Sequence, residues 1–403
     1  MKLNASPFAG VSFAMVVGVM GAALISPLYG LYRTAWDLHA SDVSLLYVVY
    51  MGGALAGLLF LGSLPDRTGF RPIMKWGLVM ALLGTFGSLL AWNMASLSAA
   101  RFVVGVSSGM ATLSAPLGLS KLAQPSQRHR VTMLTSFLMV LGFGLGPLVG
   151  GVLGQWAPYP LVTTYLPPLV LGACALFVLT RLDLRAAGAP QDAKPLRWRD
   201  ALPTLTWPQA SHSKTFALTV CLPFLAFGVF GLYASMSPLF LDKLLPWHGP
   251  VVSGTAVAVI LFASAGMQVV AHRVPTHWCG FWGLMGLAAS NAVLMANLWA
   301  SSAILFGLGV LLTAIGHGMT LLAGMSMVNR IATPRNRSGL LATYMVIGYV
   351  GSMAPMMGMG WIADHWGLPT AVSAFCTAVL VLATVTAVVF LGQARVEPVR
   401  GPA

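Results

Sequence analysis

Long apolar runs separated by short polar breaks set the pattern of this chain from end to end. A helix needs roughly 20 apolar residues to cross about 30 Å of hydrocarbon. Runs of that order occur at 8–32, 43–64, 73–92, 95–122, 131–156 and 161–182, and again at 215–240, 251–270, 280–299, 302–328, 339–362 and 370–391. The pattern predicts twelve membrane-spanning helices in two sets of six. The first run is too long for a signal-peptide core and lacks a convincing cleavage site, so it is expected to be retained as a span. Between the sets lies the one long hydrophilic stretch, Arg181 to Lys214, with six basic and three acidic residues. The expected organisation is a bundle over 1–182, a linker over 183–214 and a second bundle over 215–403 with a short tail. Within the linker, Leu196 to Leu202 reads either as a short interfacial helix or as plain linker.

The two sets repeat each other. A shift of 209 residues lays Gly109, Met110, Lys121, Ala123, Pro125, Arg128 and Gly142 on Gly318, Met319, Arg330, Ala332, Pro334, Arg337 and Gly351. Six spans separate the copies, so both point the same way through the membrane.

Composition agrees with this pattern: 57% of residues are hydrophobic and 8% charged, with a mean hydropathy of +0.82, far from a soluble domain. The net charge of +13 does not point to nucleic acid, because the basic residues are scattered over short loops rather than gathered on one face. Membrane topology explains them better. With the N-terminus inside, every Lys and Arg except Arg33, Arg101 and Lys243 falls on the inner side, nineteen of the 22, which predicts cytoplasmic N- and C-termini. Cys174, Cys221, Cys279 and Cys376 lie far apart with no metal-ligand spacing and read as free thiols. No phosphate-cradling loop or catalytic triad spacing occurs, which argues against an ATP-driven pump or a membrane hydrolase. No cofactor or metal is expected, and no catalytic residue.

One hinge organises the rest: Gly62, Ser63, Leu64, Pro65, Asp66, Arg67, Thr68, Gly69, Phe70, Arg71 and Pro72 pack two glycines, two prolines and three charges between spans 2 and 3. Glycine and proline stop one helix and start the next, and the charge belongs at a membrane surface. The spacing G-x-L-x-D-R-x-G-x-R resembles the loop signature of the major facilitator superfamily of secondary transporters, with Phe70 standing where that family usually carries a basic residue. The resemblance covers nearly the whole chain. It implies an all-α integral membrane fold, two parallel-repeated six-helix bundles, and a role for Asp66 in latching the cytoplasmic side near the start of span 11.

In span 4, Arg101, Gly105 and Gly109 share a helix face. This resembles the family's second motif, with Val104 in place of its usual glutamine. Two readings of the arginine stand open: it snorkels to the nearby outer surface, or it is a cavity-facing cation for substrate or proton coupling. In span 5, Gly142, Gly146, Pro147, Gly150 and Gly151 fit G-x-x-x-G-P-x-x-G-G, which in this family is linked with exporters and antiporters; a small-residue packing seam is the plainer reading. His317 in span 10 falls opposite Ser108 of span 4 in the repeat. Histidine titrates near neutral pH, so it is a candidate proton carrier, or simply a hydrogen-bonded helix contact. Tyr29, Tyr32, Tyr47, Tyr50, Phe224, Phe227, Tyr233, Gln268, Tyr344, Tyr349 and Met353 are candidates for a mostly apolar pocket wall.

No span interior contains a glutamate or a clearly buried aspartate. Asp37, Asp42, Asp242 and Asp364 are placed beyond the ends of spans 1, 7 and 11, and Glu397 in the tail. A midspan carboxylate relay is therefore not expected, which leaves His317, helped by Arg101 or by Asp37, as the titrating group. The combined reading is a bacterial inner-membrane transporter, monomeric, exporting a small neutral or anionic, partly apolar molecule by alternating access in exchange for protons. The alternatives are a nutrient importer or uniporter, and a transport-inactive sensor or scaffold.

Overall fold

The structure is a computed structural model, and it describes residues 7–62, 64–123, 125–182, 205–245, 248–333 and 336–393. The Leu196 to Leu202 segment, most of the linker, and the tail with Glu397 lie outside the described residues. Among those described, twelve helices are long and apolar enough to cross a membrane: α1 Pro7–Trp36, α2 Ala40–Phe60, α3 Phe70–Leu89, α4 Met94–Leu122, α5 Arg130–Trp156, α6 Pro160–Arg181, α7 Ala210–Leu241, α8 Pro250–Arg273, α9 Thr276–Ala300, α10 Ala303–Ile331, α11 Arg337–Trp366 and α12 Leu368–Gly392. The chain is an all-helical integral membrane protein of two six-helix halves.

It divides into two compact units. The first comprises Met1–Trp36 with Leu45–Pro203, and the second Asp37–Ser44 with Thr204–Ala403. Within the first, Phe70, Met74, Leu78, Leu119, Leu179 and Leu182 form a buried apolar cluster with residues of α1. Asn93 starts α4 through a reciprocal capping box with Ser96, whose N–H it accepts at 2.8 Å, so the short α3–α4 turn needs no other partner for those amides. Gly69 enters α3 at φ +86°, a backbone conformation that a side chain would strain. The hinge glycine is thus required by the turn itself.

Several boundaries differ from the hydrophobic pattern. α1 continues past residue 32 to Trp36, through a 3-10 turn over Ser26–Leu28. Pro27 lacks an N–H and cannot support a regular turn there. α7 begins at Ala210, inside the stretch read as linker, and the residues before it are docked rather than loose. Thr206 N–H donates to the Gly339 carbonyl and Thr343 Oγ1 donates to the Thr206 carbonyl at 2.9 Å. Trp207 meets Phe216 edge-on at 4.9 Å and donates to Ser213 Oγ. This strap ties the start of α7 to the first turns of α11. Finally, α11 runs to Trp366, so Asp364 stands in its last helical turn and not beyond it.

Candidate functional site

The glycines of the sequence motifs are seams between helix backbones. On α5, a Cβ at Gly142, Gly146 or Gly150 would strike the carbonyls of Val16, Met20 and Leu24, one turn of α1 after another. Both rows advance by four residues, so the two helices run backbone against backbone with Pro147 and Gly151 buried beside the seam. In the second unit the same relation holds more briefly, with Gly351 of α11 on the Phe224 backbone of α7. A second seam joins α2 to α4: Gly105 and Gly109 abut the Tyr50 and Ala54 carbonyls, while Gly53 and Gly57 abut those of Phe102 and Val106.

That close approach of α4 places Arg101 among aromatic rings in the first unit. Its side chain is 2% exposed. Nη2 donates to the Ala22 carbonyl at 2.6 Å and Nη1 to Gly21 at 3.4 Å, just before the 3-10 break in α1. The guanidinium lies 4.5 Å from the centre of the Tyr50 ring, an arrangement that favours a desolvated cation. Tyr29 stands against it, and the Tyr50 hydroxyl reaches Ser108. Beside them Tyr32 and Tyr165 share a hydroxyl–hydroxyl bond of 2.8 Å. The Arg101 Nε is buried without a hydrogen-bond partner among the described residues. Sequence reasoning missed Tyr165; its signal was a phenol at the start of an otherwise apolar run, where it needs a partner.

The second unit builds a different cluster about His317 of α10, the position that matches Ser108 in the repeat. His317 is buried, with Nδ1 paired to Ser264 Oγ of α8 at 2.8 Å. Phe227 stacks 6.1 Å from the imidazole and Phe230 lies at 5.8 Å. Tyr349 meets Phe227 edge-on. Ser264 escaped the sequence reading because a lone serine does not stand out within an apolar run, and Phe230 carries no local mark that sets it apart from other packing phenylalanines. Tyr233 sits in a π-helical turn, Leu232–Met236, against Phe306. Gln268 is half-buried one turn beyond Ser264 on α8.

Other candidates stand apart. Tyr344 fills a separate apolar cluster with Phe216, Val220, Val328, Ile331 and Leu340 and covers Gly324, so it is core rather than pocket wall. Asp37 is exposed in the α1–α2 connection at φ +51°. Of the hinge, Arg71 Nη2 donates to the Leu182 carbonyl at 3.2 Å and Gly62 packs over the Leu58 carbonyl. Asp66 and Arg67 stand in a short helix, Leu64–Thr68, but their side chains lie outside the described residues.

Comparison with known proteins points one way. The sequence profile of the Major Facilitator Superfamily matches residues 11–278. The chain is 23% identical over 392 residues to the multidrug resistance protein MdtL of Escherichia fergusonii, covering 94% of each. It is 32% identical over 143 residues to the arabinose-proton symporter of Escherichia coli K12, covering 35% of this chain and 29% of that one. Its fold is similar to that of a bacterial homologue of the human lysosomal transporter Spinster, solved inward-facing and occupied, with a TM-score of 0.74 at 15% identity over 99% of this chain and 100% of the other. Twelve spans, two repeated halves and a profile match over most of the sequence place the chain in the major facilitator superfamily of transporters.

Proposed function

We propose that this transporter exports a small neutral or anionic, partly apolar molecule by alternating access, in exchange for protons, from the cytoplasm of a bacterium across its inner membrane. The observation that carries export is the α5 motif, Gly142 to Gly151, laid as a backbone seam along α1. A seam without side chains lets two helices slide or pivot without repacking, and Pro147 frees a carbonyl where α5 bends most easily. The MdtL relative, which spans 94% of the chain, supports the same direction.

In this reading His317 carries the proton, and the Arg101–tyrosine cluster supplies a fixed positive charge with hydroxyls that suit an anionic or polar neutral cargo. Tyr29, Tyr32, Ser108, Phe224, Phe227, Tyr233 and Gln268 contribute to binding, while Asp66, Arg67 and Arg71 act in the conformational change at the cytoplasmic side. The protein works as a monomer with both termini cytoplasmic. A second reading, proton-coupled import, is favoured by the segment similar to the arabinose-proton symporter.

Proteoliposomes with an imposed proton gradient separate the two. Across a panel of neutral and anionic aromatic compounds, export predicts that at least one accumulates in the compartment from which protons flow, and that His317→Ala folds normally but loses the pH dependence of that flux. Accumulation with the proton flow, or full pH dependence in His317→Ala, overturns the proposal.

A further inference from the structure

The first turn of α2 is held by a side chain from another helix. Asp364 of α11 accepts from the Ala40 N–H at 2.8 Å through Oδ1 and from the Ser41 N–H at 3.2 Å through Oδ2. These belong to the four amides that open any helix without a partner inside it, and a carboxylate there is further favoured by the helix dipole. Asp42 serves a third amide, accepting from the His39 N–H at 2.9 Å. The packing around the bonds is close. Gly360, one turn before Asp364, lies so near Ser41 and Ser44 that a Cβ would strike both, and Ser44 is fully buried. Asp364 itself is exposed, so water can replace it on the amides.

The position of this contact along α2 gives it a consequence. Asp37–Ser44 group with the second compact unit, whereas α2 from Leu45 onward belongs to the first. One continuous helix therefore changes unit immediately after the turn that Asp364 holds. Asp364 is also the one acidic residue in α11, and the titratable groups around it are His39, Asp42 and His365, the last bonded to the Trp361 carbonyl.

We propose that Asp364 is a releasable latch on the N-terminus of α2: engaged, it keeps the Asp37–Ser44 turn against α11, and released, it lets that turn follow the rest of α2 and uncovers Ser44 and Gly360. The latch is reversible because the amides it frees pass to water and are not stranded in hydrocarbon. Such a latch requires only that the transporter changes conformation, whatever the direction of transport, the cargo or the coupling ion.

Cysteine accessibility in detergent tests it without reference to orientation. With Cys174, Cys221, Cys279 and Cys376 replaced by alanine, Ser44→Cys reports the latch and Thr320→Cys, fully buried in α10, serves as the control. Losing two charge-assisted hydrogen bonds in Asp364→Ala should speed maleimide labelling of Ser44→Cys roughly tenfold, with a smaller increase in Asp364→Asn and no change for Thr320→Cys. Equal rates at position 44 with and without Asp364 overturn the latch. So does a parallel increase at 44 and 320, which would make Asp364 a general stabiliser. Should Asp364→Ala fail to fold, Asp364→Asn, which keeps an acceptor oxygen and loses the charge, carries the same comparison.

Discussion

α4 and α10 hold matching places in the two repeats, and they use the same backbone logic to support opposite chemistry. Gly109 and Gly318 occupy matching positions, and each lets its helix press on a carbonyl of a neighbour, Ala54 in one unit and Ser264 in the other. Beside these glycines the resemblance ends, at His317 next to Gly318 and at Arg101 two turns before Gly109. α4 presents a guanidinium whose two terminal nitrogens donate to α1 carbonyls and whose surroundings are phenols. α10 presents an imidazole with one polar partner, flanked by phenylalanines that offer none. The repeat thus conserves the contacts in which backbone meets backbone and leaves free the positions where a side chain projects. A fixed charge can orient a ligand or a helix; a titratable ring can change state.

The largest expected effect lies in what the two helices share. Gly109→Val and Gly318→Val each force a branched side chain into a neighbouring backbone, a kind of overpacking that costs about 1–3 kcal/mol or more. Both should lower the melting temperature of the purified protein, and by similar amounts. A loss at one site alone would break the structural parallel between the halves.

Next comes the charge. Arg101→Lys keeps the cation but has neither the planar fork that reaches two carbonyls nor the flat face that stacks on Tyr50. If geometry matters, transport falls by roughly tenfold to a hundredfold, the scale of losing a hydrogen bond to a charged group. Transport preserved in Arg101→Lys would reduce the residue to a point charge and bring α4 closer to α10.

The smallest effects should come from single neutral hydrogen bonds. Tyr32→Phe removes the bond to Tyr165, and Ser264→Ala removes the partner of His317; each should cost about 0.5–1.5 kcal/mol in thermal stability. Ser264→Ala should also shift the pH profile of transport, whereas Tyr32→Phe should leave it in place. Equal pH effects from both would erase the distinction between a charged and a titratable half.

The spans were legible because hydrocarbon imposes one requirement, an apolar run of sufficient length, that composition reports directly. The seams were legible for a related reason: Gly142, Gly146 and Gly150 are spaced by a helix turn, and only a close neighbour gives such spacing a use. Features that depend on a distant partner were not legible. The strap at Thr206 is recognised by Gly339 and Thr343, more than a hundred residues away, and nothing local marks it as other than linker. Tyr344 reads like Tyr29 from sequence, yet one joins an apolar cluster and the other an arginine. Asp364 was placed beyond its helix because a charge at the end of an apolar run looks like a boundary; its bonds to Ala40 and Ser41 needed the fold.

The wide turn in α7 bears on how this chain tolerates editing. Over Leu232–Met236 the helix takes π geometry, and the Ser237 N–H returns to the Leu232 carbonyl, so the segment contains one residue more than a regular turn of the same rise would hold. Removing one residue from within it would let the helix close to ordinary pitch with Gly231 and Ser237 still facing as they do. A single-residue deletion elsewhere in α7 would instead rotate everything beyond it by about 100°. The turn is therefore the place in this helix where chain length and side-chain register are uncoupled, and where a sequence one residue shorter could reach the same arrangement of flanking helices.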